Sequence, residues 1–202
     1  MVAIRRMQHA DIDAVARSQA RAFEHDPLQI WTFPDDAQRR VRLEQMFLLG
    51  LPAMSMRHDE AYVDDSCAVA ALWMPPGTWD TPLPRAAIAT LEPLLIVLGR
   101  DAIDRQRRAN DAMARVHPRE PHWYLQGLGT DPVCQGRGYA TAALAPVLAQ
   151  ADAAGQPAYL ESTKPQNVPF YEHRGFRVTG TIEIPSDGPT LYAMWRDPVT
   201  RR

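Results

Sequence analysis

Residues 134–148 read CQGRGYATAALAPVL, a short glycine-containing segment followed at once by an alanine-rich helical pattern. Gly136 and Gly138 stand between a predicted strand that ends near Thr130 and a predicted helix that begins near Gly136. A helix N-terminus offers unpaired N–H groups and about half a positive charge. Glycines let a bulky anion lie against that backbone, and Arg137 adds a side-chain donor. The segment therefore predicts either a phosphate or pyrophosphate site or a plain glycine turn.

Two well-known phosphate-binding loops do not fit this segment. A P-loop requires a lysine and then a serine or threonine after its last glycine, whereas Gly138 is followed by Tyr139. A dinucleotide-binding fingerprint requires a third small residue three positions after its second glycine. That position is proline after the glycines at 127 and 129, and threonine after those at 136 and 138. Since the strands upstream also pair as hairpins, both interpretations are excluded.

Length and composition favour a single domain, residues 1–202. They give no reason to expect a highly charged partner. The chain has 202 residues, of which 46% are hydrophobic, and a formal net charge of −2. Such a charge creates no global field, so neither nucleic acid nor a membrane is expected as a partner. The sequence contains no long apolar run and no signal core at its N-terminus. Cys67 and Cys134 form no disulfide framework and predict free thiols in a reducing, cytoplasmic compartment.

Apolar periodicity and turn residues predict an α/β fold. Two predicted hairpins force antiparallel neighbours, so the sheet is expected to be mixed and mostly antiparallel, with about six to seven strands flanked by helices. The predicted elements are, in order, a strand VAIRRM, a helix after Asp11, a proline-bounded loop HDPLQIWTFPDD, a helix from about Asp35 to near Pro52, a hairpin AYVDD/CAVAALWMP, helices RAAIATLEPLLIVLG and DAIDRQRRANDAMARV, a strand HWYLQGLGT, a helix from near Gly136 to about Ala154, a strand PAYLES, a short helix VPFYEHR and a hairpin FRVTGTIEI/TLYAMWR.

The pattern Gln135-x-x-Gly138-x-Ala140 at the start of a helix resembles motif A of the GNAT acetyltransferases, in which six residues wrap the pyrophosphate of acetyl-CoA. The segment LESTKPQNVPFYEHRGF resembles the family's motif B, a strand followed by Asn-x-x-x-Tyr on a short helix. Specific resemblance covers about residues 119 to 198, and within the family it is closest to the puromycin N-acetyltransferases and their relatives. It implies a GNAT fold, acetyl-CoA as the cofactor, and transfer of acetyl to a primary amine of a small molecule.

The resemblance also implies where the diphosphate of the cofactor lies. It places that group at the start of the helix after the glycines, where a Cβ on Gly138 would intrude. The backbone N–H groups expected to point at the diphosphate belong to Gln135, Gly136, Arg137, Gly138, Tyr139 and Ala140.

The strand before this loop is expected to line the pantetheine arm of the cofactor. A bulge near Leu128, Gly129 and Thr130 is expected to free a backbone N–H that stabilises the oxyanion. Gly129 fits such a bulge, although a glycine in a strand also marks the close approach of another group. Asn167 is expected to bond the cofactor arm, to cap its helix, or both.

Acyl transfer from a thioester requires a neutral amine, a stabilised oxyanion and a leaving thiolate. Tyr171 matches the family's tyrosine that protonates the sulfur, and a phenol with a pKa of about 10 is close enough to a thiol with a pKa of about 8.5. Its alternative role is packing beside Phe170. Many relatives carry a glutamate base on the strand before motif A, where HWYLQGLGT has none. Glu161 on the next strand is the nearest acidic candidate, and a structural carboxylate is its alternative role.

The acceptor pocket in this family is built mainly from the N-terminal helices and loops. Aromatic side chains there are expected to contact the amine, and the candidates are Phe23, Trp31 and Trp73, with Phe33 and Trp79 in addition.

Three histidines, His25, His122 and His173, are isolated in the sequence, which predicts no metal site. Two further classes of function stay open at this point. One is a non-catalytic acyl-CoA sensor or docking module of the same fold, and the other is an enzyme that acetylates peptide or protein amines. A homodimer also stays open.

Overall fold

Seven strands form a single sheet, and they are β1 (Ile4–Arg6), β2 (Ala61–Asp64), β3 (Val69–Met74), β4 (Trp123–Thr130), β5 (Ala158–Ser162), β6 (Arg177–Glu183) and β7 (Thr190–Arg196). The computed structural model describes residues 2–199, and of Thr90 only the backbone. The strands lie in the order β1-β2-β3-β4-β5-β7-β6. Every neighbouring pair is antiparallel except β4 and β5, which are parallel. The predicted mixed, mostly antiparallel sheet is confirmed.

Helices cover both faces of this sheet, and they are α1 (Ile12–Phe23), α2 (Pro27–Thr32), α3 (Asp36–Gly50), α4 (Arg85–Leu98), α5 (Arg100–Val116), α6 (Tyr139–Ala154) and α7 (Val168–Glu172). One face packs against α6 and α7, and we call it the α6 face. The opposite face packs against α1, α2 and α5, and we call it the α1 face. Among residues 2–199, no helix is long and apolar enough to cross a membrane.

The predicted loop HDPLQIWTFPDD contains a helix, α2, so that prediction is wrong. Asp26 caps this helix, since its carboxylate accepts the N–H of Leu28 at 3.0 Å. Pro27 occupies the first helical position, where its missing N–H costs no hydrogen bond. The proline therefore starts this helix instead of preventing it.

Asp11 stands at the N-cap position of α1, but its side chain does not cap this helix. Asp11 ends a 3-10 turn (His9–Asp11) with helical backbone angles, and its carboxylate accepts the N–H of Gln8 at 2.8 Å. Arg5 binds both oxygens of this carboxylate, at 2.6 and 2.9 Å. Asp11 therefore joins β1 to the start of α1, but it does not cap α1 itself.

A long excursion, α4 and α5, connects β3 to β4. The second helix ends at Val116, and His117 follows as its C-cap, with its N–H donated to Met113 O at 3.0 Å. Leu98 and Ala102 anchor the two helices in a core cluster that also contains Ala20 of α1. The excursion therefore returns to the sheet with the side chain of His117 directed into the α1 face.

The parallel pair β4–β5 is short and then separates. Its register covers only Trp123 opposite Ala158, Tyr124 opposite Tyr159 and Leu125 opposite Leu160. Both strands continue beyond these positions without pairing to each other. The separation opens a gap in the sheet directly in front of the glycine segment.

Candidate active site

The gap between β4 and β5 leaves backbone donors free along one edge of β4. The Asp131 N–H donates to Ala68 O on the β3 side at 2.7 Å. Because N–H groups alternate along a strand, those of Leu128 and Thr130 point to the opposite edge, into the gap. The expected bulge lies at Gln126 rather than at 128–130, because Gly127 and Leu125 oppose consecutive residues of β3. The separation of the strands, and no bulge at Gly129, therefore leaves these donors free.

The glycine segment has the backbone geometry of an anion cradle. Gly136 and Gly138 have φ angles of 73° and 82°, in the left-handed region that favours glycine. A Cβ on either residue would meet no heavy atom within 4 Å, so the space above the loop is open. Among the described residues, the N–H groups from 136 to 140 have no hydrogen-bond partner. The chemistry of the segment therefore fits a diphosphate.

Two details differ from the expected cradle. The Gln135 N–H donates to Pro132 O at 3.4 Å, so the free donors begin at Gly136. The side chain of Gln135 donates to Thr130 O at 3.1 Å and ties the loop to the end of β4. Helix α6 begins at Tyr139, three residues later than predicted. Gln135 therefore shapes the loop through its side chain and does not offer its N–H to a ligand.

Gly129 is required because two side chains of α1 approach it. A Cβ there would lie 2.8 Å from Cε2 of Phe23 and would overlap Oε1 of Gln19. Gln19 is 1% exposed, and its Nε2 donates to Gly129 O at 3.1 Å. Its Oε1 is buried without a partner among the described residues. Of the two interpretations of Gly129, close approach is therefore the one that the structure shows.

Glu161 lies on the α1 face, one residue beyond the last position at which β5 pairs with β4. Its side chain is 4% exposed, and its Oε1 lies 3.5 Å from Nδ1 of His117. The ring of Trp79 covers His117 with centroids 3.8 Å apart. Nε2 of His117 lies 3.1 Å from Nε2 of His122. A carboxylate and two imidazoles therefore form a buried chain at the gap, which we call the Glu161–His117–His122 chain.

Two phenols border this chain. Burial, and then the negative charge of Glu161, raise the pKa of Tyr124 and of Tyr159 well above 10, so both stay neutral. Burial lowers the pKa of His122 below 6.5, and this imidazole is therefore neutral at pH 7. The surroundings of Glu161 thus contain hydrogen-bond donors but few competing charges.

Tyr171 lies on α7 at the α6 face and is packed between Phe170 and Phe176, with ring centroids 5.1 and 5.9 Å away. Burial raises the pKa of Tyr171 well above 10, an effect that Arg174 partly opposes. The phenol therefore stays protonated between pH 6 and 9, and the same burial makes it a weaker acid than a phenol in water.

Asp26 is a buried carboxylate close enough to Tyr171 to raise its pKa. It accepts a hydrogen bond from the hydroxyl of Thr163, just after β5, and caps α2. Burial raises the pKa of Asp26 as well, while Thr163 and Lys164 oppose that shift. This residue therefore joins α2 to the end of β5 beside the gap.

The aromatic residues predicted to contact the acceptor separate into two groups. Trp73 is fully buried on the α6 face and Phe33 is buried between helices, so we remove both from the acceptor candidates. Phe23 and Trp31 are half-buried on the α1 face, and Nε1 of Trp31 donates to Ser186 O at 3.3 Å. Trp79 is half-buried over His117. The three residues left as candidates are on the same side as Glu161.

Asn167 is exposed at the N-cap position of α7, and its side chain makes no capping hydrogen bond. It is therefore no capping residue here, and its amide is free to meet a ligand.

His122, which the sequence presented as isolated, contacts His117. Across the described part of the chain, no three His, Cys, Asp or Glu side chains are arranged to hold a metal ion.

His117, Gln19 and Asp26 are components of the site that the sequence patterns did not single out. Asp26 carries a detectable signal, because Asp followed by Pro is typical of a helix N-cap and first position. His117 and Gln19 carry none, since each reaches the gap only through the packing of α5 or α1. Their roles follow from the tertiary structure alone.

Comparison with known families now places the chain. The Acetyltransferase (GNAT) family model matches residues 107–176. An uncharacterized N-acetyltransferase of Schizosaccharomyces pombe is 30% identical over 211 positions, which cover 98% of this chain and 85% of that relative. The chain belongs to the GNAT acetyltransferase family. This GNAT protein is accordingly an acyltransferase.

Solved structures agree with that assignment of the fold. The histone acetyltransferase HPA2 and related acetyltransferase from Corynebacterium glutamicum matches this GNAT chain with a TM-score of 0.72 and 26% identity, over 100% of this chain and 99% of that one. Arylalkylamine N-acetyltransferase 2 from Aedes aegypti matches with a TM-score of 0.57 and 12% identity, over 97% of this chain and 98% of that one.

We predict that Gly138→Val abolishes acetyl-CoA binding while the protein still folds. Valine would fill the open space above the cradle and stiffen the loop. Gly155→Val is the matched control, because Gly155 caps the other end of α6 with a φ of 64° and also has open space around it. Both variants carry the left-handed strain of about 1–2 kcal/mol. Calorimetric titration with acetyl-CoA should show binding only for the control, and equal affinities would make Gly138 a simple turn residue.

Gly129→Ala should reduce turnover more than stability. The new methyl group displaces the amide of Gln19 and the ring of Phe23, and we expect a loss of roughly 10- to 100-fold in kcat, because misplacement by about 1 Å costs that much. Gly127→Ala is the control in the same strand, since its Cβ would make only ordinary contact with Leu72 at 3.4 Å. Steady-state kinetics and thermal melts separate the two effects. Equal turnover in both variants would show that the approach of Gln19 has no functional role.

Proposed function

We propose that this protein transfers an acetyl group from acetyl-CoA directly to a primary amine of a small molecule. The observation that carries the proposal is the two-sided gap between β4 and β5. The cradle of Gly136 to Ala140 opens it on one side, and the buried carboxylate of Glu161 borders it on the α1 face. A thioester and an amine can therefore meet in the gap from opposite directions.

Each component of the site has a distinct role in this proposal. Acetyl-CoA, when bound, supplies the acetyl thioester. The N–H groups from Gly136 to Ala140 hold its diphosphate, the amide of Asn167 bonds its pantetheine arm, and the N–H of Leu128 or Thr130 stabilises negative charge on the carbonyl oxygen. Glu161 takes a proton from the amine. The neutral phenol of Tyr171 donates its proton to the departing sulfur.

The acceptor class is supported by the chemistry of the α1 face. Half-buried rings of Phe23, Trp31 and Trp79 lie on the same side as the carboxylate of Glu161. Such a combination suits an amine with an aromatic or antibiotic-like body, in keeping with the resemblance to the puromycin N-acetyltransferases. Among proteins of this fold, neighbours are named for arylalkylamines and for polyamines.

A peptide or protein amine is the second candidate acceptor. It is favoured by the similar structure from Corynebacterium glutamicum, which is named as a histone acetyltransferase and relative.

We also propose a reducing, cytoplasmic compartment, which the free thiols of Cys67 and Cys134 support.

Acetyl-CoA consumption across panels of aryl amines, polyamines, antibiotics and peptides tests the proposal. We expect turnover with small amines and binding of acetyl-CoA in the presence of a metal chelator. At 100 times its dissociation constant, the cofactor should stabilise the fold by about 2.7 kcal/mol in thermal melts. The absence of any shift at millimolar acetyl-CoA would contradict the cofactor assignment. Binding without turnover of any amine would instead favour the non-catalytic module.

Tyr171→Phe should lower kcat by about 100- to 10,000-fold and leave both Michaelis constants nearly unchanged. Phenylalanine keeps the packing against Phe170 and Phe176 but removes the proton that sulfur requires. The control is Tyr62→Phe, which deletes a buried hydroxyl bonded to Glu60 at 2.8 Å, and should cost about 1 kcal/mol of stability without affecting turnover. Kinetics between pH 6 and 9 measure both. A nearly normal kcat would remove Tyr171 from the mechanism.

A further inference from the structure

We propose that His117 and Glu161 act as one two-residue base, in which His117 holds the proton that Glu161 removes from the acceptor's ammonium group. In the same proposal His122 is a positioning residue that fixes the tautomer of His117. The inference rests on the proposed function for the identity of the substrate, while its geometry stands on the Glu161–His117–His122 chain alone.

The position of the first proton in this chain is set by a backbone carbonyl. Nδ1 of His122 lies 2.6 Å from Glu120 O. A carbonyl oxygen can only accept, so Nδ1 of His122 carries a hydrogen. Because burial keeps this imidazole neutral at pH 7, its Nε2 then presents a lone pair.

The second proton follows from the first. Nε2 of His117 lies 3.1 Å from the lone pair on Nε2 of His122, so His117 must donate there. His117 thus carries its hydrogen on Nε2, and its Nδ1 is left as the variable position. That nitrogen is the atom that faces Oε1 of Glu161, at 3.5 Å.

The carboxylate of Glu161 and the lone pair on Nδ1 of His117 face each other, so the two groups can share one proton. Oε1 of Glu161 has no hydrogen-bond partner among the described residues, although the side chain is almost fully buried and the phenols of Tyr124 and Tyr159 lie close enough to the carboxylate to interact with it. A buried acceptor without a donor costs free energy, and a proton between the two atoms removes that cost. The pair is therefore arranged to take up a proton and hold it as an ion pair.

The aromatic and titratable groups around His117 come from three parts of the chain. On β4 and β5 these are the phenols of Tyr124 and Tyr159, with ring centroids 4.7 and 4.9 Å away, and the carboxylate of Glu161. Before β4 they are neutral His122 and the carboxylate of Glu120, which acts on His122. From the loop after β3, the ring of Trp79 lies over the imidazole, an arrangement that stabilises a cation.

The proton balance of the reaction is then complete. One N–H bond of the ammonium breaks, and its proton passes through Glu161 to Nδ1 of His117. As the neutral nitrogen bonds the acetyl carbon and the C–S bond breaks, the sulfur gains one proton from Tyr171. The nitrogen loses its second proton, which restores Tyr171. His117 finally releases its proton to water, so one proton is liberated for each amide formed.

His117→Asn tests this inference, because asparagine can still donate to Glu161 but cannot accept a proton. We expect kcat at pH 7 to fall by about 100- to 1,000-fold, which lies within the usual range for a general base. The deficit should shrink as pH rises towards 10, because the amine then arrives already neutral. The Michaelis constant for acetyl-CoA should not change. His58→Asn, outside the site, serves as the control and should match the wild type.

A merely structural role for His117 predicts a different pattern. The pH–rate profile of His117→Asn would then run parallel to that of the wild type, and that result, like an unchanged kcat, would overturn the inference. His122→Asn should produce a smaller loss with the same pH dependence, since it frees the tautomer of His117 without removing the imidazole.

A measurement without turnover keeps the inference separate from the proposed function. Long-range ¹H–¹⁵N spectra of the imidazoles should show hydrogen on Nδ1 of His122 and on Nε2 of His117, in the wild type and in Glu161→Gln alike. A His117 protonated only on Nδ1 would overturn the inference, even in an enzyme that acetylates amines. The expected tautomers in a protein that acetylates no amine would leave the chain intact and refute only the proposed acceptor.

Discussion

The structure depends on one constraint, the separation of β4 from β5 after three paired positions. A parallel pair within a sheet normally satisfies its backbone donors along its whole length. Here the N–H groups of Leu128 and Thr130 are left facing a gap, and the cradle before α6 and the side chain of Glu161 border the same opening. Gln19 of α1 contacts Gly129 of β4, and His117, which follows α5, contacts Glu161 of β5, so both side chains reach the point where the two strands separate.

The two faces of the sheet divide the chemistry between them. The α6 face supplies a helix N-terminus, two left-handed glycines and a buried phenol, which are features that suit a large anion and a leaving sulfur. The α1 face supplies a carboxylate, imidazoles and half-buried aromatic rings, which suit a cationic amine. In the proposed reaction the two reactants enter from opposite faces and meet at the gap, so the sheet would fix their relative orientation.

Local sequence signals predicted the sheet, the glycine segment and the short helix that carries Tyr171. Strand alternation, two glycines directly before a helical pattern and Asn-x-x-x-Tyr spacing are short-range features, and they are visible without knowledge of the fold. The sequence predicts a proline-bounded loop where α2 forms, because local composition alone does not separate a proline in a loop from a proline at the first helical position. Trp73 was misplaced because its ring faces α6, and a strand residue's face follows from register and not from its identity. His117 had no signal at all, since only the return of α5 to the sheet brings it to Glu161.

The excursion between β3 and β4 has a consequence for local stability. Leu98 of α4 packs on α1 and α3, and Ala109 and Ala112 of α5 pack on the α1 face of the sheet, whereas the cradle precedes α6, which packs on the opposite face. Segments with separate packing open separately, and each has its own opening free energy. Transient opening of α4 and α5 would withdraw His117 and leave the cradle in place. Hydrogen exchange in this pair of helices would then report the fraction of molecules in which the cradle is intact but His117 is away from Glu161, so the fraction of complete sites would depend on an equilibrium remote from the gap.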